Sequence, residues 1–201
     1  MNNIQLPVQI TSQKLIKPNL EVIYPQIRGL GKEKINRTIL NLVYKLINEQ
    51  GYYQSPGMKV NGSYEIKTNE RGVLSLSLIN YAYPPHAAHG MTIIKSITAD
   101  LQTGKIYTLS ELFNPSIYYL GIISDLIKEQ IETRNIPLLK PFDVIKTDQD
   151  YYIADKILVI YFQLYELTPY AFGFPEIPIS VYQIESIIKP GTPLFKMLGA
   201  Y

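Results

Sequence analysis

Ser63-Tyr64-Glu65-Ile66-Lys67-Thr68, then Asn69-Glu70-Arg71-Gly72, then Val73-Leu74-Ser75-Leu76-Ser77-Leu78-Ile79-Asn80 is the stretch that decides the fold class. Val73, Ser75, Ser77 and Ile79 alternate with Leu74, Leu76, Leu78 and Asn80, the period of two that sends successive side chains to opposite faces of a strand. The four residues before Val73 have the composition of a hairpin turn, which makes Ser63 to Thr68 the antiparallel partner. Downstream, Met91 to Ala99 reads as a third strand that turns at Leu101-Gln102-Thr103-Gly104 into a short one at Lys105 to Tyr107. Upstream, Ile10 to Ile27 mixes Val, Ile, Leu and Tyr with breaks at Pro18-Asn19 and Pro25, which predicts one or two further strands. The pattern is an antiparallel meander.

Elsewhere the period changes to that of a helix. Ile35, Ile39, Leu42, Val43, Leu46 and Ile47 form one apolar stripe over about residues 32–50, and Gly51 follows where a left-handed C-cap is wanted. Thr108 and Glu111 have the spacing of a capping box, predicting a single helical turn over Leu109 to Phe113. Asn114 as N-cap with Pro115 in the first position opens a second helix over about 115–134, with Ile117, Leu120, Ile123, Ile127 and Ile131 on one face. Ile157 to Leu167 is apolar on both faces and predicts a central strand covered on both sides. A last strand near Glu176 to Ile179 leads to Ser180, whose spacing to Gln183 predicts a short helix to Lys189.

The expected fold is therefore α+β, a mainly antiparallel sheet with two amphipathic helices (about 32–50 and 115–134) packed on it. A smaller strand–helix part, residues 1–55, is expected to share one core with the main part, residues 56–201.

Composition narrows the function classes. The chain has 201 residues, 46% apolar and 18% charged, as expected of a globular protein and not a disordered one. A net charge of +2 is too mild for nucleic acid, which requires a row of phosphate-neutralising Lys and Arg; Lys32, Lys34 and Arg37 read instead as a solvated helix start. With no cysteine there is neither a disulfide framework nor a thiolate metal site. Met1 to Gln9 lacks the basic-then-apolar pattern of a leader, and no run approaches the ~20 apolar residues of a membrane span. As written, the expectation is a cytoplasmic chain; if it is trimmed from a longer one, an extracytoplasmic location is the alternative.

Few residues suggest chemistry. His86 and His89 are the only histidines, and His-x-x-His with Glu166 as a third ligand would give a small metal-dependent hydrolase. That motif follows Pro84-Pro85 and so lacks the helix on which zinc-protease histidines sit, which favours a binding-loop role. Asp148-Gln149-Asp150 resembles an ion-holding acidic pair but lies between two β-like segments, where Asp commonly forms turns. No nucleophile elbow or phosphate-binding glycine loop is present, and a thiol nucleophile is impossible.

The 17 Tyr without a single Trp are more informative. Tyr carries an apolar ring and a polar tip, so it suits half-buried sheet faces and contact surfaces alike. Tyr170, Phe172 and Phe174 fall in the loop Thr168-Pro169-Tyr170-Ala171-Phe172-Gly173-Phe174-Pro175, too aromatic for an ordinary solvated connection. Tyr81, Tyr83, His86 and His89 surround a second loop, Pro84 to Gly90.

Taken in order, Asn69-x-x-Gly72-Val73-Leu74-Ser75-Leu76, Tyr81-x-Tyr83, Ala88-His89-Gly90, Asp100-Leu101-x-Thr103-Gly104-Lys105 and Leu109-x-x-Leu112-Phe113 resemble the extracytoplasmic sensor domain of RsiV-type anti-sigma factors. The same domain pair accompanies PdaC-type peptidoglycan deacetylases. Tyr151-Tyr152-Ile153, Tyr161-Phe162, Tyr165-Glu166 and Pro169-Tyr170-Ala171-x-Gly173 continue the match. The resemblance implies a noncatalytic α+β binding or sensor module without cofactor, with lysozyme, another cell-wall-related protein or peptidoglycan as ligand. Pro84-Pro85-His86 departs from the small residues that precede Ala-His-Gly in that family.

Glu166 carries one more expectation. If the strand from Ile157 runs to Leu167, Glu166 shares a face with Leu158, Ile160, Phe162 and Leu164, where an unpaired carboxylate would cost several kcal/mol. Glu166 must therefore lie at the strand's exit into solvent or have a partner, such as His89 or the backbone N–H groups of the Pro169-Tyr170 turn, and the partnered form is the expectation.

Overall fold

The computed structural model describes residues 7–29 and 31–199; Met1 to Leu6, the greater part of the segment read as lacking a leader, lie outside the described residues. The chain folds into two compact units, Met1–Ile106 and Tyr107–Tyr201.

The first unit holds β1 (Ile10–Lys17), β2 (Leu20–Ile27), α1 (Glu33–Glu49), β3 (Lys59–Glu70), β4 (Val73–Tyr83) and β5 (Met91–Asp100) in one sheet of order β1-β2-β3-β4-β5. Every neighbouring pair is antiparallel except β2 and β3, which run parallel because α1 carries the chain back before β3 begins. The meander is as predicted, and this parallel join is the feature that periodicity did not disclose. Pro25 does not break β2: β3 pairs only with Leu20 to Val22, so beyond Val22 the strand has β1 alone beside it.

The turns have the residues their dihedrals demand. Asn19 takes φ +59 between β1 and β2, and Arg71 with Gly72 takes φ +51 and +69 between β3 and β4, the doubly positive pair of a tight hairpin. After β5, Asp100 Oδ1 accepts from the backbone N–H groups of Gln102 and Thr103 at 2.8 and 2.9 Å. The short strand expected at Lys105 to Tyr107 is reduced to one bridge, Ala99 to Ile106.

Ile35, Ile39, Val43, Leu46 and Ile47 of α1 are buried on Leu20, Val22, Val60, Leu74, Leu76 and Leu78 of the sheet, the transfer from water that drives folding. The predicted stripe is thus the core, and Gly51 caps the helix at φ +82. The opposite face of β4 carries buried hydroxyls that satisfy one another across to β5: Ser75 Oγ lies 2.9 Å from Thr98 Oγ1, and Ser77 Oγ 2.9 Å from Ser96 Oγ.

Side-chain amides complete the sheet where strands end. Asn36 on α1 accepts from Ile27 N–H at 2.8 Å and donates to Ile27 O at 2.9 Å. Asn69 does the same for Val8, accepting its N–H at 3.0 Å and donating to its carbonyl at 2.8 Å. Gln50 Nε2 donates to Asn80 O and Met91 O at 2.8 and 3.1 Å, where β4 and β5 part.

The second unit contains α2 (Tyr119–Thr133), an antiparallel sheet of β6 (Tyr151–Ala154), β7 (Ile157–Tyr161) and β8 (Glu176–Ser180) in that order, and α3 (Pro193–Lys196). Single 3₁₀ turns occur at Ser110–Leu112, Tyr170–Phe172 and Glu185–Ile187. Half of the expected capping box forms: Thr108 N–H donates to Glu111 Oε2 at 2.9 Å, but the Thr108 hydroxyl donates to the same carboxylate at 3.1 Å, and Glu111 N–H is taken by Thr108 O. Across both units the architecture is α+β with mostly antiparallel sheet and helices packed on it.

Three boundaries differ from expectation. The second helix begins at Tyr119 and not at 115, because Asn114 closes a separate turn: its Oδ1 accepts from Ser116 N–H and its carbonyl from Ile117 N–H, both at 3.0 Å. The helix expected after Ser180 is a turn, with Ser180 N–H donating to Gln183 Oε1 at 3.1 Å, followed by the 3₁₀ turn. The long central strand stops at Tyr161.

Ile123, Ile127 and Ile131 of α2 are buried as predicted, and so is Ser124, whose Oγ accepts from Ile145 N–H at 3.0 Å and fixes the segment after α2. On β8, Gln130 Nε2 and Arg134 Nη1 donate to Pro178 O and Glu176 O at 2.6 and 2.9 Å.

Gly62 in β3 has no room for a side chain: a Cβ would lie 2.5 Å from Asn80 Oδ1 and 2.6 Å from Val22 Cγ1. Gly62→Ala is expected to lower the free energy of unfolding by about 1–3 kcal/mol through overpacking. An unchanged urea midpoint would show that β2 and β4 give way freely.

Candidate functional site

In the first unit, β4 delivers Tyr81 and Tyr83 to the loop Pro84 to Gly90. Tyr83 hydroxyl donates to Ala87 O at 2.8 Å and ties the loop back to the strand. His86 sits at φ +62, an uncommon conformation for a residue with a Cβ, and is exposed, as is His89. His89 Nδ1 lies 3.0 Å from its neighbour's carbonyl, Gly90 O, and donates to it in the tautomer that carries the proton there.

Gly90 is required by contact. A Cβ there would lie 2.4 Å from Ala82 O and 2.4 Å from the Tyr81 ring, so the loop returns directly beneath that ring. The structure thus brings Tyr81, Tyr83 and the two histidines to one loop. Gln50, which sequence reading missed, anchors its base; no local pattern pairs it with residues 30 and 41 positions away.

In the second unit the site is built where β7 stops. Glu166 N–H donates to Gln163 O at 3.1 Å while Gln163 N–H donates to Glu166 Oε2 at 2.8 Å, closing a turn that needs Tyr165 at φ +63. Strand alternation therefore does not apply to Glu166, and the face assigned to it is corrected. Its partners are also different from those expected: Lys146 Nζ at 2.6 Å on Oε1, and the Gln163 N–H in place of the Pro169-Tyr170 turn. The hydrogen bond to Glu166 holds the Lys146 ammonium above its ordinary value of 10.5 against an opposing effect of burial, with the charges of Glu166, Asp148 and Asp150 adding.

Tyr170 to Phe172 forms a 3₁₀ turn closed by Phe172 N–H to Pro169 O and Gly173 N–H to Tyr170 O, both at 3.0 Å, with Gly173 at φ +83. The turn presents an aromatic ledge. The Tyr165 and Tyr170 rings lie 5.5 Å apart, and Tyr165 and Phe172 are 48% and 41% exposed. Leu139, 51% exposed, is bound alongside through its N–H to Leu167 O at 3.0 Å. Phe174 is half-buried and Pro175 buried, so Phe174 supports the loop more than it offers a contact. Leu139, an unremarkable residue after a helix, was not singled out from the sequence, and Tyr165 entered only as part of the Tyr165-Glu166 motif, with strand alternation giving it to a sheet face.

A cleft of about 310 Å³ shares Glu166 and Leu167 with this loop; Phe142, Lys140, Lys146 and Gln149 are among its walls. Phe142 and Phe162 meet edge to face at 5.9 Å. Among the described residues no group of three or more His, Cys, Asp or Glu is placed to hold a metal ion, and the third ligand envisaged for His86 and His89 is engaged by Lys146. Asp150, one of the acidic pair, accepts from Gln163 Nε2 at 2.7 Å, a turn-stabilising role. No described helix is long and apolar enough to cross a membrane.

Because Lys146 is well exposed, its pair with Glu166 is a modest contributor: Glu166→Gln is expected to cost about 0.2–1 kcal/mol at neutral pH. An ammonium whose value is raised on folding stabilises fully below its unfolded value near 10.5 and ceases to do so as pH climbs through the folded one. The difference between wild type and variant in urea melts should accordingly shrink above that pH; a constant difference would locate the effect in the turn alone.

The fold recurs in known structures. The chain is similar to a DUF3298 family protein from Pseudomonas aeruginosa, with a TM-score of 0.71 at 14% identity over 98% of each chain. It is likewise similar to a DUF3298 family member from Bacteroides fragilis, with a TM-score of 0.70 at 13% identity over 94% of this chain and 97% of that one. At these identities the likeness is one of fold. No curated protein matches the chain. Residues 110–182, which hold both the aromatic ledge and the cleft, match the model of the family described as "Protein of unknown function (DUF3298)".

Proposed function

We propose that the chain is a noncatalytic binding or sensor module that engages a cell-wall-related partner, a lysozyme-like protein or peptidoglycan, through the aromatic ledge. The observation that carries this reading is the exposure of Tyr170 and Phe172 on a turn closed by Phe172 N–H to Pro169 O and Gly173 N–H to Tyr170 O, with the exposed Tyr165 and Leu139 beside them. Solvated apolar rings held in fixed positions lose little entropy on binding and are the residue types that dominate protein contact surfaces. The motif resemblance supplies the ligand class, and the loop at Tyr81, Tyr83, His86 and His89 is a second contact region on the same reading.

Calorimetric titration with a lysozyme and with soluble peptidoglycan fragments tests it. Saturable binding is expected to one of them, weakened at least about tenfold (1.4 kcal/mol) by Tyr170→Ala combined with Phe172→Ala. Both side chains are only partly exposed, Tyr170 36% and Phe172 41%, so the double variant is expected to lose some stability, and a urea melt establishes that it is folded at the titration temperature. Absence of binding to every cell-wall ligand at high micromolar concentration would overturn the proposal.

A further inference from the structure

The cleft beside the ledge has features that a packing defect would not have. Gln149 is only 4% exposed, yet it lines the cleft, and its amide is oriented by Nε2 donating to Tyr161 O at 2.9 Å. That bond fixes which end of the amide is left over: Oε1 accepts no hydrogen bond from any described residue. Left without a protein donor on the cleft wall, that oxygen is available to accept from a ligand N–H or O–H. On the same wall Lys140 makes neither a hydrogen bond nor an ion pair with any described residue, whereas Lys146 is committed to Glu166. Phe142, Phe162 and Leu167 supply the apolar surface.

These groups select a chemistry. The ligand must bring an N–H or O–H to Gln149 Oε1, an aliphatic group to the phenyl rings and an anion to Lys140. A sugar ring stacks on an open aromatic face, whereas Phe162 is buried and the half-buried Phe142 meets it edge to face. A phosphate is held by an arginine fork or a nest of backbone N–H groups, and no arginine is among the residues lining the cleft. Two carboxylates also line the cleft, but Glu166 is paired with Lys146 and Asp143 lies 4.0 Å from Lys128, so Lys140 is the charge on this wall without a counter-ion among the described residues, and a cationic ligand would add to it. Peptide has all three elements: a backbone N–H, a small aliphatic side chain and a carboxylate.

We infer that this cleft is a peptide subsite, taking a short segment that ends in or carries a carboxylate, with Lys140 as its anion contact and Gln149 Oε1 as its backbone acceptor. The inference rests on the proposed binding role and names the part of the partner that enters beside the ledge. A volume near 310 Å³ accommodates one or two small residues.

Titration of isotopically labelled protein by NMR, with N-acetyl-alanyl-alanine, its C-terminal amide and chitotriose as probes, tests it. The free acid is expected to shift the amide signals of Lys140, Gln149 and Phe162 saturably by about 10 mM, with binding weakened at least about tenfold by amidation or by Lys140→Ala and restored by Lys140→Arg. Lys140 is exposed and unbonded, so its variants should fold as the wild type does. Equal binding of acid and amide, shifts with chitotriose alone, or no saturable shifts would each overturn the inference. Failure of the subsite alone is distinguishable from failure of the binding role. If a cell-wall partner binds and Tyr170→Ala with Phe172→Ala abolishes it while Lys140→Glu does not, the ledge stands and the subsite is overturned.

Discussion

A strand cannot end with its backbone groups both buried and unpaired, and this protein repeatedly meets that demand with side-chain amides. Asn36 takes both backbone groups of Ile27, Asn69 both of Val8, and Gln50 two carbonyls where β4 and β5 separate. In the second unit Gln149 does the same for Tyr161, and Gln130 takes the Pro178 carbonyl midway along the edge strand β8. A carboxamide has a donor and an acceptor spaced much like those of a peptide unit, so it continues a ladder without a further strand. The helices hold their places partly for this reason: α1 packs by its isoleucines, but Asn36 fixes its start against the end of β2.

The candidate site depends on the same device. Tyr161 is the last residue of β7, and Gln149 claims its carbonyl as the chain leaves the sheet. Gln163 and Glu166 then close their turn reciprocally, Lys146 holds the carboxylate from outside, and the loop from Leu167 to Pro175 emerges with its rings outward. The closed turns hold these side chains in place, so part of each ring remains in water. Exposure of this kind is a property of the turn more than of the residues that decorate it.

Much of the fold was legible in the sequence where the signal was local. The α1 stripe, the hairpin at Arg71-Gly72 and the half-formed capping box at Thr108 each need only a few adjacent residues, and each is where periodicity or spacing placed it. What failed depended on distant partners. Apolar alternation continues from Ile157 to Leu167, yet the backbone leaves the strand at Tyr161 because Glu166 competes for Gln163 N–H, and no pattern of hydrophobicity registers a reciprocal turn. Asn69 lies 61 positions from Val8 and Gln149 12 from Tyr161, so their roles were invisible one residue at a time. The aromatic loop was readable as unusual from composition, whereas its extension to Tyr165 and Leu139 required the fold.

Reliance on carboxamides gives this protein a chemical clock. Hydrolysis of the Asn36 side chain to a carboxylate would remove the donor to Ile27 O and set a negative oxygen 2.9 Å from that carbonyl, turning an attraction into a repulsion. The apolar core would be untouched, so the lesion would appear as fraying at the end of β2 and the start of α1. Asn and Gln are thermolabile residues, and here they bind sheet to helix and strand to turn. Ageing in solution should thus loosen the seams of the molecule before its interior.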